Sequence, residues 1–282
     1  MRDRVCMVTG ASRGIGRITA LALADKGANV VLVCRDEGRG RAVLDEVKAR
    51  GGGKGELFLA DLSSQASIRK LAADFKAKHD RLHVLVNNAG AIFTSRQLTV
   101  DGIEATFATN HLGYFLLTQL LLDVIEKSAP ARIVNVSSVA HGRGTIRFDD
   151  LGHEKGYAAM KAYSQSKLAN ILFTFALARR LEGKGVTVNA LHPGVIGSNF
   201  LASNGGIYKL AMKIASPFLM SEEDGAKTTI YLASSPEVAD VTGTYFDKQK
   251  PARSNRESKD VDVQERLWRV SEEMTNVMSA RA

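Results

Sequence analysis

Val5-Cys6-Met7-Val8-Thr9-Gly10-Ala11-Ser12-Arg13-Gly14-Ile15-Gly16 joins a short apolar run to three spaced glycines and then to a helix-length segment at 15–26. So short an apolar run, bounded by glycine, reads as a buried strand. Glycine permits a tight turn and lets the backbone approach a pyrophosphate resting on the helix N-terminus. On that reading Gly10, Ser12, Arg13, Gly14, Ile15 and Gly16 cradle a dinucleotide; an ordinary strand-to-helix turn is the plainer alternative. The spacing is Gly-x-x-x-Gly-x-Gly, not Gly-x-Gly-x-x-Gly.

The alternation begun there continues along the chain. Strand-like runs fall at 5–9, 30–34, 56–60, 82–86, 133–136, 186–191 and 244–246. Helix-length segments fall at 15–26, 38–50, 65–79, 101–126 and 157–181, and Ser221-Glu222-Glu223 announces another through Leu232. Short apolar strands alternating with helices predict an α/β fold, a doubly wound Rossmann-type parallel sheet of about seven strands with helices on both faces. No linker or repeat divides residues 1–282, so a single dinucleotide-binding and catalytic domain is expected. Two stretches break the pattern: a polar loop at 141–156 and an apolar excursion at 195–220. The excursion holds Phe200, Leu201, Ile207, Tyr208, Leu210, Ile214 and Phe218, which line a substrate cleft or else complete the core or a subunit interface. A charged extension, 247–282, ends the chain, with an amphipathic helix expected over 261–277.

Bulk properties exclude several classes. The 282 residues are 45% hydrophobic, ordinary for a soluble globular protein, and carry a formal charge of +8. The basic excess is not interleaved with aromatics, so nucleic acid is not expected as a partner. It reads as a solvated surface, or as attraction for an anionic cofactor or a membrane surface. Cys6 and Cys34 both fall in strand-like runs and read as buried thiols of a reducing compartment. Met1-Arg2-Asp3-Arg4 leads straight into the first strand without the pattern of a signal peptide, and no apolar run is long enough to span a bilayer. A cytoplasmic protein is expected, peripheral to membranes at most, and a homo-oligomer.

Tyr163 and Lys167 are one helical turn apart and share a face. A free phenol has a pKa of about 10, too high for efficient proton exchange near neutrality. An ammonium about 4 Å away, at an effective dielectric near 20, favours phenolate by roughly 4 kcal/mol. Lys167 is therefore expected to pull Tyr163 down into a useful range. Upstream, Ser137-Ser138 ends the apolar run Ile133-Val134-Asn135-Val136. Asn110 and Gly113 interrupt a helical pattern that both residues weaken. His111, His141, His153 and His192 lack metal-ligand spacing and read as structural or solvent-facing; no metal is expected.

The end of the second strand distinguishes the two nicotinamide cofactors. NAD-binding folds place an acid there for the ribose 2′-hydroxyl, where this chain has Cys34 followed by Arg35. A guanidinium grips a 2′-phosphate in bidentate fashion, and Arg13 adds a second cation, so NADP(H) is favoured over the alternative of two solvated arginines.

Taken together, the glycine spacing, Ser138, Tyr163 and Lys167 resemble the short-chain dehydrogenase/reductase family over essentially the whole chain. The resemblance is closest to the retinol dehydrogenase-like branch, which also includes the WW domain-containing oxidoreductase. It is carried by Cys34-Arg35-Asp36, by 135–141, by Ser166-Lys167-Leu168-Ala169-Asn170, by Leu191-His192-Pro193-Gly194-Val195 and by Arg266-Leu267-Trp268. It implies that Ser138 donates to the substrate oxygen beside Tyr163, with Ser137 the fallback. It implies that Lys167 also holds the nicotinamide ribose, and that Asn110 anchors a water linking Lys167 to solvent. Asp61-Leu62 is similar to the family's adenine contact, and Asn87-Asn88-Ala89-Gly90 to its adenosine-side motif. Pro193, Gly194, Val195 and Ser198 match its nicotinamide loop, with serine where threonine is common. The reaction implied is interconversion of a small apolar aldehyde or ketone and its alcohol. A non-catalytic NADP(H)-binding sensor or scaffold and a nucleotide-sugar epimerase or dehydratase are the other classes; the first has no need of the catalytic set, and the second usually needs a larger C-terminal domain.

Overall fold

A computed structural model describes residues 1–50, 54–194 and 220–277. One sheet of eight strands runs through it in the order β3-β2-β1-β4-β5-β6-β7-β8. The strands are β1 (Val5–Thr9), β2 (Asn29–Cys34), β3 (Gly55–Leu59), β4 (Val84–Asn87), β5 (Ala131–Val136), β6 (Val186–His192), β7 (Thr244–Asp247) and β8 (Lys250–Pro251). The first seven pair in parallel, and β8 turns back antiparallel on β7. The eighth strand, two residues long, is an addition to the seven expected. Strand order reverses between β1 and β4, and ligands of such sheets bind at the carboxyl ends beside the reversal.

The helices are α1 (Gly14–Asp25), α2 (Glu37–Lys48), α3 (Gln65–Lys76), a single turn α4 (Ala105–Phe107), α5 (Gly113–Glu126), α6 (Ala159–Arg180), α7 (Glu222–Ser234) and α8 (Val261–Thr275). Alternation along each strand decides which layer a side chain enters. Met7, Val31, Val33, Leu85 and Ile133 enter the core shared with Phe75, Phe115, Phe173 and Trp268. Val8, Val30, Leu32, Val86 and Val134 enter the opposite core with Leu21, Leu23, Val43 and Leu232. Both faces are thus covered.

Most helices begin on a side-chain cap. Asp36 accepts from Arg39 N at 2.9 Å, and Ser221 accepts from Asp224 N at 3.0 Å as Ser221-Glu222-Glu223 foretold. Asp260 caps α8 by accepting from Asp262 N at 3.0 Å. In contrast, α1 starts at Arg13 in extended backbone with no side-chain cap.

The helix expected over 101–126 is broken. Leu98 and Glu104 form a bridge, α4 lasts one turn, and Ala108–Leu112 is a π turn before α5 begins. Asn110, which a regular helix disfavours, stands in the middle of that π turn. A buried polar ladder then fixes α6 to the sheet: Asn87 Nδ2 donates to Asn135 Oδ1 at 2.9 Å, and Asn135 Nδ2 to Thr174 Oγ1 at 2.9 Å. From the far side α8 closes over α5 and α6. Trp268 lies edge-on to Phe115 with centroids 5.0 Å apart, and the Arg180 guanidinium stacks 3.9 Å over the indole.

Candidate active site

The glycine-rich turn lies at the carboxyl end of β1. Gly10 and Gly14 have φ of 67° and 59°, the left-handed region that L side chains avoid. A Cβ at Gly10 would lie 2.8 Å from Ala89 Cα, so the two turns touch backbone to backbone. Ser12, Arg13 and Ile15 complete the loop, with Arg13 exposed. Asn88 clamps it by donating through Nδ2 to Thr9 O at 2.8 Å, while Asn88 N and Ala89 N donate to Thr9 Oγ1 at 2.9 and 3.1 Å. The result is a backbone-walled cradle at an uncapped helix N-terminus, which suits a pyrophosphate.

At the end of β2, Cys34 is buried and Arg35 exposed. Neither Arg13 nor Arg35 makes an ion pair among the described residues. Asp36 does not compete for the position, since its carboxylate caps α2 and pairs with Arg39 at 3.1 Å. Asp61 Oδ1 accepts from Ser63 N at 2.9 Å and Ser63 Oγ at 2.8 Å, a turn that orders the end of β3, and Leu62 is buried beside it.

The catalytic candidates gather at the ends of β4 and β5. Ser137 N continues the ladder to Leu191 O at 2.8 Å, and its Oγ donates to Lys167 O at 2.7 Å. Ser137 is thus committed to holding α6, which leaves Ser138 as the serine that acts on the Tyr163 phenol. Lys167, 3% exposed, reaches back to donate through Nζ to Val136 O at 3.0 Å and sits 5.6 Å from the centre of the Tyr163 ring. Asn110 Oδ1 accepts from Ala91 N at 2.8 Å, while its Nδ2 donates to Ala91 O at 2.9 Å and Ser166 Oγ at 3.0 Å. A Cβ at Gly90 would stand 3.2 Å from that Oδ1 and 3.5 Å from Lys167 Nζ, so the β4 turn meets Asn110 and Lys167 directly.

The electrostatics correct one expectation. Burial pushes Tyr163 up to about 12, with the Ser138 hydrogen bond pulling in the opposite sense. Burial alone brings Lys167 down to about 7. The sequence estimate set a full ammonium against a phenol and left out the cost of desolvating both charged forms, which dominates here.

The histidines take the structural one of their two readings. None of the four faces solvent: His111, His141, His153 and His192 are all buried. No metal-binding group of three occurs among the described residues. Cys6 and Cys34 are free and buried, as expected, and burial raises both thiols. Pro193 and Gly194 follow β6 beside Met220, but Val195, Ser198 and residues 195–219 generally lie outside the described residues. Ser166 was not singled out as a site residue. Its Oγ bridges Asn110 Nδ2 to Tyr163 O, the latter at 2.8 Å, and the signal was a serine one turn after the tyrosine, where hydroxyls bond back to the helix.

The family described as short chain dehydrogenase matches residues 4–205. The chain belongs to that family. Retinol dehydrogenase 12 of Homo sapiens is 42% identical over 275 residues, covering 97% of this chain and 87% of that protein. Retinol dehydrogenase 13 of Homo sapiens is 44% identical over 287 residues, covering 94% and 82%. Among solved structures, an uncharacterized protein from Mycobacterium Paratuberculosis superposes with a TM-score of 0.81 at 33% identity, covering 99% of this chain and 96% of that one. The RhlG/NADP active-site complex of Pseudomonas aeruginosa superposes at 0.71 with 31% identity, covering 87% and 94%. This short chain dehydrogenase is retinol dehydrogenase-like, and hence an alcohol/carbonyl oxidoreductase. No described helix is long and apolar enough to cross a membrane.

Proposed function

We propose that the chain interconverts apolar aldehydes or ketones and their alcohols with NADP(H), using Tyr163 as general acid and base. The observation that carries this reading is Lys167, buried with its Nζ 5.6 Å from the centre of the Tyr163 ring, with Ser138 acting on the phenol. Gly10, Gly14 and Gly16 with the first turn of α1 would hold the pyrophosphate, Arg13 and Arg35 the 2′-phosphate, Asp61 and Leu62 the adenine side, and Asn88, Ala89 and Gly90 the adenosine ribose. Lys167 would take the nicotinamide ribose, with Pro193, Gly194, Val195 and Ser198 toward the carboxamide. When bound, the cofactor supplies or accepts the hydride.

The chain's own groups handle the oxygen and its proton. Ser138 and Tyr163 donate to the substrate oxygen, stabilising charge as it develops there. Tyr163 then gives up its proton, and Lys167, poised near neutrality, supports the phenolate and returns a proton to it. Asn110 spends its side chain on Ala91 and Ser166 from within the π turn, where the resemblance would have it anchor a water linking Lys167 to solvent. In the reverse direction Tyr163 accepts the alcohol proton.

The apolar substrate class is supported by two exposed apolar side chains close in sequence to Ser138 and Tyr163. Val139 directly follows Ser138 and is 58% exposed, and Met160, one turn before Tyr163, is 57% exposed. The retinol dehydrogenases among its relatives act in the same direction as support, as do the NADP in the RhlG structure and the unopposed arginines for the cofactor. Kinetics on a series of straight-chain aldehydes with NADPH test the reading. Each buried methylene is worth about 0.8 kcal/mol, so kcat/KM should climb roughly fourfold per carbon until the cleft is full. A flat profile, or a preference for charged sugars, would overturn it.

A further inference from the structure

Two residues outside the catalytic set hold the turn that carries Ser138. His141 addresses the Ser138 carbonyl twice, through its main-chain N–H at 3.1 Å and its ring Nδ1 at 2.6 Å. A carbonyl oxygen only accepts, so geometry assigns a proton to Nδ1. The ring is wedged edge-on against Tyr245 with centroids 4.6 Å apart, and burial lowers its pKa, which keeps it neutral. Ser138 Oγ meanwhile accepts from Ala140 N at 3.2 Å, so its own proton is left for Tyr163 or a substrate oxygen.

The C-terminal extension completes the arrangement. Asn255 Nδ2 donates to His141 O at 3.1 Å and to Gly144 O at 3.0 Å, with Gly142 O at 3.4 Å between them. Its Oδ1 accepts from Glu257 N at 2.8 Å, and Glu257 Oε1 accepts from Ile146 N at 3.0 Å. The whole turn after β5 is therefore laced to a segment more than a hundred positions away in sequence. On the opposite side His192 Nδ1 accepts from Val139 N at 3.2 Å.

We infer that His141 is a positioning residue for Ser138, and that Asn255 locks the turn from which His141 acts. The inference rests on the reaction proposed above, in which Ser138 addresses the substrate oxygen. The two His141 bonds fix the peptide plane of Ser138 and with it the direction of Oγ. Misplacing such a group by about 1 Å costs on the order of a hundredfold in rate.

The test is steady-state kinetics with decanal and NADPH on five variants: His141→Leu, His141→Asn, Asn255→Ala, Ser138→Ala and the double variant His141→Leu with Ser138→Ala. NADPH affinity is followed separately by fluorescence titration. His141→Leu should lower kcat by roughly ten- to a hundredfold with unchanged NADPH affinity. His141→Asn should recover most of that loss, because the asparagine Nδ2 can stand where the ring Nδ1 stood. Asn255→Ala should lose several-fold in kcat. In the double variant, loss of His141 should add nothing to loss of Ser138, since no hydroxyl is left to aim. Losses that multiply, or an unchanged kcat in both His141→Leu and Asn255→Ala, overturn the inference while leaving the reaction intact. Should His141→Leu fail to fold, Asn255→Ala with and without Ser138→Ala makes the same decision. Failure of the unaltered chain to turn over any aldehyde is a different result: it defeats the reading of the site, and this inference with it.

Discussion

The turns at the carboxyl ends of β1 and β5 face one cleft and are built from opposite materials. The first is built chiefly on main chain: Gly10 and Gly14 in the left-handed region, a helix start with no side-chain cap, and contact with Ala89 through the backbone, with the Asn88 amide and the Thr9 hydroxyl as its side-chain ties. The second is made of side chains bonded to main chain: Ser137 on Lys167 O, His141 on Ser138 O, His192 on Val139 N and Asn255 on three carbonyls. A diphosphate spreads charge over many oxygens and is met by rows of N–H groups, for which side-chain identity matters little. Proton transfer needs particular atoms held to a fraction of an ångström, and that takes side chains on every side.

Removing the hydroxyl proposed as the proton donor should stop turnover without touching the first turn. Tyr163→Phe is expected to lower kcat by about a hundred- to ten-thousandfold while NADPH still binds with its original Kd by titration. A near-normal kcat would show that the proton comes from elsewhere. Arg35→Ala probes a place where the cofactor half does depend on a side chain. Loss of a charge-assisted bond, about 1.5–3 kcal/mol, should raise the KM for NADPH by roughly ten- to a hundredfold and leave that for NADH nearly unchanged. The comparison fails if the unaltered chain uses both cofactors equally.

Adding a methyl group sharpens the contrast. Gly10→Ala should lower stability by about 1–3 kcal/mol and weaken NADPH binding, whereas Ser12→Ala in the same loop should stay within about 0.5 kcal/mol; chemical denaturation with and without NADPH measures both. Equal effects from the two substitutions would mean that the loop is not backbone-built. The smallest effect belongs to buried charge. Lys167 titrates near 7 when folded instead of 10.5, so between those values the unfolded chain binds more protons and stability rises with pH. Above 9 the raised Cys6 and Tyr163 oppose it, each reaching about 12. From pH 7 to 9 the urea midpoint should therefore climb, by up to roughly 1.4 kcal/mol per pH unit, and Lys167→Met should flatten the climb. An unchanged slope would show that Lys167 stays charged in the fold.

Legibility followed the same division. The strand–glycine–helix grammar was readable because turn and strand preferences are local, so β1 to β7 and the cradle emerge from the chain as written. Ser138, Tyr163 and Lys167 were readable as a set through helical spacing and resemblance. What escaped depends on contacts between distant segments. Nothing near Asn110 announces that Ala91 and Ser166 take its amide. Lone histidines such as His141 carry no spacing signal, yet the sheet buries them. The direction of the Tyr163 and Lys167 shifts required knowing how much water the fold removes. Two-residue β8 is too short to have a pattern.

Trp268 sits on the last of the described helices, yet it fills a space between Phe115 and Phe173, whose helices are made much earlier. As the polypeptide leaves the ribosome, the sheet can pair strand by strand while an aromatic slot on α5 and α6 stays open to water. That slot shuts only when α8 emerges, so the core of this enzyme closes on a segment made long after the helices it covers.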